Sequence, residues 1–112
     1  MRSDQERLAD ILEAIEKIER YASRGRQAFD NDELFQVWVV RHLQILGEAA
    51  SRVSPETQTR YPEIPWGKMI GMRHVLVHGY FDIDLDIVWS VIENDLIPLK
   101  AQILAKIKNW ND

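Results

Sequence analysis

Apolar residues recur every three or four positions along most of the chain, which is the spacing that places them on one face of an α-helix. The first such segment runs from Asp4 to about Ala22, and charged residues occupy its opposite face. Its apolar positions are Leu8, Ile11, Leu12, Ile15 and Ile18. Residues 23–26 (Ser-Arg-Gly-Arg) interrupt the pattern, so we predict that the first helix ends there.

A second helical pattern extends from about Asp30 to Val53, and Asn31 or Asp32 is suited to cap its start. Arg41 falls inside the apolar stripe of this segment. Because a buried guanidinium needs a hydrogen-bonding partner, we expect Arg41 to find one or to reach a cleft. The stripe that we predict to be shared comprises Leu34, Val37, Trp38, Arg41, Ile45, Leu46, Ala49 and Val53.

Residues 54–67 form the one stretch that is rich in loop-forming residues. Ser54 before Pro55 predicts an N-cap followed by a proline in the first turn of a short helix. Pro65 is placed in the same way before a third helix, which we predict from about Trp66 to His78, where Gly79 would end it. The apolar side of this helix comprises Trp66, Met69, Ile70, Leu76 and Val77.

The last long helix is predicted to begin after Asp84, a good N-cap residue. Proline inside a helix removes a hydrogen bond and clashes with the preceding turn, so Pro98 is expected to kink this helix or divide it in two. The apolar positions of the helix are Ile87, Val88, Val91 and Ile92 before the proline, and Leu99, Ile103 and Ile107 after it.

No segment shows the alternating apolar pattern of a β-strand. Four main helices with mostly short connections predict an all-α protein, an antiparallel four-helix bundle that forms a single domain over residues 1–112.

Composition limits the functions that this domain can have. The chain has 112 residues and no cysteine, which excludes disulfides and thiolate metal sites and fits a reducing cytoplasm. Its first residues are charged at every turn, so we expect no signal peptide, and no apolar run is long enough to cross a membrane. With 14 Lys and Arg against 18 Asp and Glu, the chain cannot present a broad basic face. Any contact with RNA must therefore use a local patch.

The candidate chemistry lies in residues 71–82, where Arg73, His74 and His78 interrupt an otherwise apolar segment. Arg73 and His78 are five residues apart, so a regular helix would separate them by roughly 140°. One chain supplies one motif arginine and one motif histidine. A two-fold dimer that brings two such segments together would supply two of each in one cleft.

Two histidines and two arginines suit RNA cleavage by transesterification. This reaction needs a base for the 2′-OH, an acid for the leaving 5′ oxygen, and positive charge at the phosphorane. Histidine titrates near neutral pH and can serve as base or acid, while arginine offers a charged fork of donors to phosphate. Neither a metal nor another cofactor is required.

Three other interpretations of these residues are open. An arginine and a histidine near a helix C-terminus are more often a helix-dipole partner and an ordinary surface group. His74 and His78, one turn apart, could bind a metal with Asp82 or Asp84, although no Glu stands in the H-E-x-x-H position. Acidic residues from Asp82 onward match several positions of a calcium loop, but Ile87 occupies the position that requires glycine.

The tryptophans carry a further ambiguity. Base stacking is one use of exposed aromatic rings. At helical spacing, however, Trp38, Trp66 and Trp89 are predicted to lie in the core or at a dimer surface.

The segment Arg73-His74-x₃-His78-Gly79-Tyr80 resembles the Arg-polar-x₃-His-x-Tyr motif of the HEPN superfamily, in its HepT-like branch. The similarity covers roughly residues 34–104, in order and at matching spacing. Its other parts are Leu46–Ala50, Ser54–Glu56, Tyr61–Trp66, Ile70–Arg73, Gly79–Asp84, Val88–Trp89 and Asp95–Leu99.

The resemblance implies a dimeric four-helix bundle and an endoribonuclease site built from Arg73 and His78 of both protomers. It also implies a partner, a minimal nucleotidyltransferase (MNT) antitoxin, which in the family can transfer AMP to the motif tyrosine, here Tyr80. Many relatives carry Asn where this chain has His74, so His74 could take part in catalysis or only hydrogen-bond. By resemblance alone, Glu48 is expected to orient a motif residue. The alternatives are a nucleotide- or RNA-binding module without catalysis and a scaffold that only holds the antitoxin.

Overall fold

A computed structural model of the chain describes residues 2–71 and 84–110. Every regular element in these ranges is helical, which confirms the predicted all-α class. In chain order the elements are α1 (Asp4–Ala22), α2 (Arg26–Asp30), α3 (Glu33–Arg52), α4 (Pro55–Arg60), α5 (residues 66–71), α6 (Leu85–Ser90), a π-helical turn (Val91–Asp95) and α7 (Leu96–Lys108).

The helices begin where side chains accept the free N–H groups of their first turns. Asp32 caps α3, Ser54 caps α4 and Asp84 caps α6, and each side chain accepts a hydrogen bond from the backbone two or three residues ahead. All three caps were predicted from the sequence. At α1, Ser3 and Glu6 form a reciprocal capping box.

Helices α1, α3 and α7 form the centre of the bundle. Helix α1 packs along α3, and α7 packs against the other side of α1. Lys17 lies next to Trp38 and Asp4 next to Ser54, so α1 and α3 are antiparallel. The shared core confirms the predicted stripe of α1 and includes Leu8, Ile11, Ile15 and Ile18 from α1, Val39, Leu43 and Leu46 from α3, and Leu96, Leu99 and Ile103 from α7.

The predicted inner face of α3 was wrong over the first half of the helix. Leu34 is 81% exposed and Val37 is 58% exposed. Arg41 is also exposed rather than enclosed in the core. The core side chains of this half are instead Phe35 and Val39, neighbours of the predicted positions, because Phe35 packs against Phe29, Tyr21 and the end of α1.

The short helix α2 was not predicted. It follows Gly25, whose φ of 89° lies in a region that favours glycine. Its function in the fold is to bury Phe29, whose ring contacts those of Phe35 and Trp89. Trp89 and Trp66 are both buried, as predicted for core tryptophans.

The last helical segment runs without a break in helical backbone from Leu85 to Lys108. Its expected interruption near Pro98 takes the form of the π-helical turn, in which the N–H of Leu96 donates to the carbonyl of Val91. The wider turn lies directly before the proline, which has no N–H to continue the regular pattern. Ile87, predicted to face the core, is 56% exposed, whereas its neighbour Val88 is buried.

Among the residues that the structure describes, no helix is both long and apolar enough to cross a membrane.

Candidate active site

The four motif residues predicted to carry or control the chemistry, Arg73, His74, His78 and Tyr80, lie outside the described residues. The same holds for Leu76, Val77 and Asp82. The assignments of these residues therefore stay predictions. Glu48 is the one predicted site residue that the structure describes.

The described residues on either side of the motif are held to the bundle. Before it, Trp66 is buried in the core, and its indole N–H donates to the carbonyl of Tyr61 at 3.0 Å. One turn into α5, Lys68 forms an ion pair with Asp95 of the π-helical turn, at 2.9 Å between Nζ and Oδ1. After the motif, Asp84 caps α6, so the chain enters and leaves this segment from fixed helices.

Glu48 lies near the C-terminal end of α3. Its carboxylate accepts a hydrogen bond from the Nε of Arg52 at 2.7 Å, one turn along the same helix. Its side chain remains 40% exposed and faces a groove between α1 and α3. Its predicted role, to orient a motif residue, would be carried out from this wall of the groove.

The groove has a volume of about 520 Å³. Seven of its lining residues are ionisable: Arg7, Asp10, Glu13 and Lys17 from α1, and Arg41, His42 and Glu48 from α3. Each acid has a basic partner: Asp10 pairs with Arg2, Glu13 with Lys17 and Glu48 with Arg52. Neither Arg7 nor Arg41 makes an ion pair within the part of the chain that the structure describes. The balance of charge in the groove is therefore positive.

His42 is the least expected member of this groove. It is only 6% exposed, and its Nδ1 has no hydrogen-bonding partner among the described residues. The ring lies edge-on to Trp38, with 4.4 Å between the ring centroids. Burial lowers the pKa of His42, the positive charges of Lys17 and Arg41 lower it further, and Glu13 opposes the shift.

Sequence reasoning did not single out His42, because a lone histidine within an apolar helix has the pattern of an ordinary core residue. A signal was nevertheless present. Arg41 and His42 are adjacent polar residues in the middle of the apolar run of α3, and together they interrupt it. The prediction that Arg41 reaches a cleft is consistent with its position at this groove, although the guanidinium is exposed.

No group of three or more potential metal ligands occurs within residues 2–71 and 84–110. Asp84 and Asp86 are engaged as a helix cap and as the ion-pair partner of Arg26. Glu93 accepts a hydrogen bond from the Trp89 indole at 3.3 Å. The rejected calcium loop therefore has its described acids in a helix start, as predicted for Asp84. The alternative metal pair His74 and His78 falls outside the described residues.

The bundle and its motif place the chain among small helical ribonuclease-type domains, and comparison with known proteins identifies the family. A family profile described as "Ribonuclease HepT-like" matches residues 11–105. The chain therefore belongs to the HepT-like ribonuclease family, within the HEPN superfamily, as the motif had indicated.

Individual relatives agree with this assignment. A protein of Thermococcus cleftensis named as a probable ribonuclease HepT is 37% identical over 102 residues, which cover 90% of this chain and 93% of the relative. A candidate RNase of Methanocaldococcus jannaschii is 33% identical over 97 residues, covering 86% and 89% of the two chains. A candidate RNase of Caldanaerobacter subterraneus is 31% identical over 104 residues, covering 92% and 93%. No solved structure matches the chain significantly.

Proposed function

We propose that the chain is a metal-independent endoribonuclease and the toxin of a toxin–antitoxin pair whose antitoxin is an MNT-type nucleotidyltransferase. The observation that carries the proposal is the sequence from Arg73 to Tyr80, which has the motif spacing of the family and lies inside the region matched by the family profile. The proposal adds a mechanism, a partner and a mode of control to the family assignment.

The proposed reaction is attack of the RNA 2′ oxygen on the adjacent phosphorus. One His78 imidazole removes the 2′-OH proton, and a protonated His78 imidazole gives a proton to the leaving 5′ oxygen. The products are a 2′,3′-cyclic phosphate and a 5′-OH. Arg73 stays charged and donates to the phosphorane oxygens, where negative charge accumulates.

This division of labour requires two copies of the motif, since each chain has a single His78 and a single Arg73. We therefore include a two-fold homodimer in the proposal. His74, next to Arg73, is placed as a supporting residue, and Glu48 as the residue of α3 that orients the motif.

Control by the antitoxin follows from electrostatics. The Tyr80 oxygen would attack the α-phosphorus of ATP, forming a phosphodiester to AMP while pyrophosphate leaves and the phenol proton passes to a base. The added nucleotide brings bulk and one negative charge close to Arg73 and His78 in sequence. Repulsion of the anionic RNA then lowers activity without unfolding the enzyme.

The test begins with purified protein whose intact mass shows no AMP on Tyr80. Incubation with bulk RNA in EDTA is expected to give fragments with 2′,3′-cyclic phosphate ends, while His78→Ala and Arg73→Ala give none. Failure of the unmodified parent to cleave would reject the catalytic proposal. RNA binding without cleavage would then favour the binding-module alternative, and complex formation with the antitoxin alone would favour the scaffold.

The shared site has its own test. Wild-type protein is mixed and re-equilibrated with an excess of His78→Ala, so that most wild-type chains pair with an inactive partner. Activity per wild-type chain is expected to fall steeply. Constant activity per wild-type chain would show that one protomer is sufficient and would reject the composite site.

A further inference from the structure

We infer that the groove between α1 and α3 is a binding site for the phosphodiester backbone of a single RNA strand. The inference rests on the proposed ribonuclease function and adds a substrate-binding surface away from the motif itself. Its positive side chains are Arg7 from α1 and Arg41 from α3.

The first argument is the local charge. The whole chain carries a formal net charge of −4, so it cannot attract RNA through its overall charge. Within the groove the acids Asp10, Glu13 and Glu48 are each offset by a basic side chain at 2.6–3.0 Å. Arg7 and Arg41 form no ion pair with any described residue. Two guanidinium groups, whose donor forks match the oxygens of a phosphate, are thus left to meet an anion from outside.

The second argument is His42. A buried polar atom without a partner is unfavourable and uncommon in folded proteins. The Nδ1 of His42 is such an atom, in a side chain that lines the same groove. The charged groups around the imidazole are Lys17 and Glu13 on α1 and Arg41 on its own helix. The two cations oppose its protonation, and a phosphate bound between them would reverse this effect.

The third argument is size and position. A groove of about 520 Å³ falls within the range of roughly 300–1,000 Å³ that is typical of ligand sites. Glu48, which we propose to orient the catalytic motif, forms part of its wall. A strand held by Arg7 and Arg41 would therefore lie beside the residue that connects α3 to the proposed chemistry.

The test measures binding separately from cleavage. The probe is a fluorescent single-stranded 2′-O-methyl RNA, which has no 2′-OH to react. Its affinity is measured by anisotropy over a series of salt concentrations, for the wild type and for the double variant Arg7→Gln/Arg41→Gln. Arg20→Gln is the matched control, since Arg20 is an exposed arginine of α1 that does not line the groove.

We expect the double variant to bind roughly tenfold more weakly at low salt and its log–log salt slope to be smaller by about 2, one unit for each lost phosphate contact. Arg20→Gln should bind as the wild type does. An unchanged double variant, or an equal loss in Arg20→Gln, would overturn the inference. Thermal unfolding of each variant checks that the fold is retained.

Two further measurements separate this inference from the proposed function. In NMR titrations the pKa of His42 is expected to rise when the 2′-O-methyl probe is added, and a pKa that does not move would count against the groove. In cleavage assays the double variant should raise KM more than it lowers kcat. Normal KM in the double variant would reject the groove but leave the ribonuclease intact, whereas an inactive wild type would reject the ribonuclease itself.

Discussion

Asp4 connects the start of α1 to the start of α4, and its removal should destabilise the whole bundle. Its carboxylate accepts hydrogen bonds from the Ser54 N–H at 3.0 Å, the Ser54 hydroxyl at 2.5 Å and the Thr57 hydroxyl at 2.6 Å. Burial alone would raise the pKa of Asp4, but these hydrogen bonds together lower it. The folded state therefore favours the ionised carboxylate.

The expected size of the effect follows from these contacts. A hydrogen bond to a charged group contributes about 1.5–3 kcal/mol, and three bonds to one partly solvated carboxylate contribute less than three times this value. We expect Asp4→Ala to lower the free energy of unfolding by about 2–3 kcal/mol. With about 2.1 cal/mol/K of unfolding entropy per residue, this corresponds to a decrease in Tm of about 8–13 °C for a chain of 112 residues.

The assay is thermal unfolding followed by circular dichroism at pH 7, where Asp4 is ionised in both the folded and the unfolded chain. Asp10→Ala is the control, since Asp10 lies on the same helix and loses only an exposed ion pair with Arg2. Because the folded pKa of Asp4 is lowered, its contribution is complete above the ordinary pKa of 3.8 and is lost as the pH falls through the lower folded value. Equal Tm values for Asp4→Ala and Asp10→Ala at pH 7 would refute this reasoning.

Three further predictions concern packing, backbone and pH. Leu43→Ala should cost about 2–5 kcal/mol in urea unfolding, whereas Leu34→Ala should cost almost nothing, because Leu43 is 1% exposed and Leu34 is 81% exposed. Similar costs would show that the face of α3 is misassigned. Gly25→Ala should cost about 1–3 kcal/mol through backbone strain alone, since no atom lies within 4 Å of the added carbon. Stability should fall as the pH is lowered from 7 to 5, because burial depresses the folded pKa of His42 and the unfolded chain takes up the proton first. A pH slope unchanged in His42→Phe would contradict the last prediction.

The parts of the fold that the sequence predicted well depend on local chemistry. Asp32, Ser54 and Asp84 were identified as caps because each side chain hydrogen-bonds to backbone only two or three residues away. The ends of α1 were predicted for a similar reason, since a single apolar stripe stops at a glycine-containing break. Such interactions require no knowledge of the rest of the chain.

The errors arose where tertiary contacts decide between local alternatives. The first half of α3 has apolar residues on two neighbouring faces, so periodicity fits Leu34 and Val37 as well as Phe35 and Val39. The aromatic contacts of Phe35 with Phe29 and Tyr21 select the second face, and Phe29 comes from a five-residue helix too short to show a period. The residue types of the candidate site were identified from the sequence, but the groove of Arg41 and His42 depends on the packing of α1 against α3.

An acidic chain with a few local cationic groups is well suited to control by a single modification. If RNA is held by Arg7 and Arg41 in the groove and by Arg73 at the motif, each of these charges provides a large share of the attraction. At physiological salt an added charge acts over about 8 Å, so the phosphate of AMP on Tyr80 would affect only its immediate neighbours. In a strongly basic nuclease many distant cations would compensate for this one charge. Here few are available, so modification at the motif is expected to abolish cleavage while binding in the groove remains measurable.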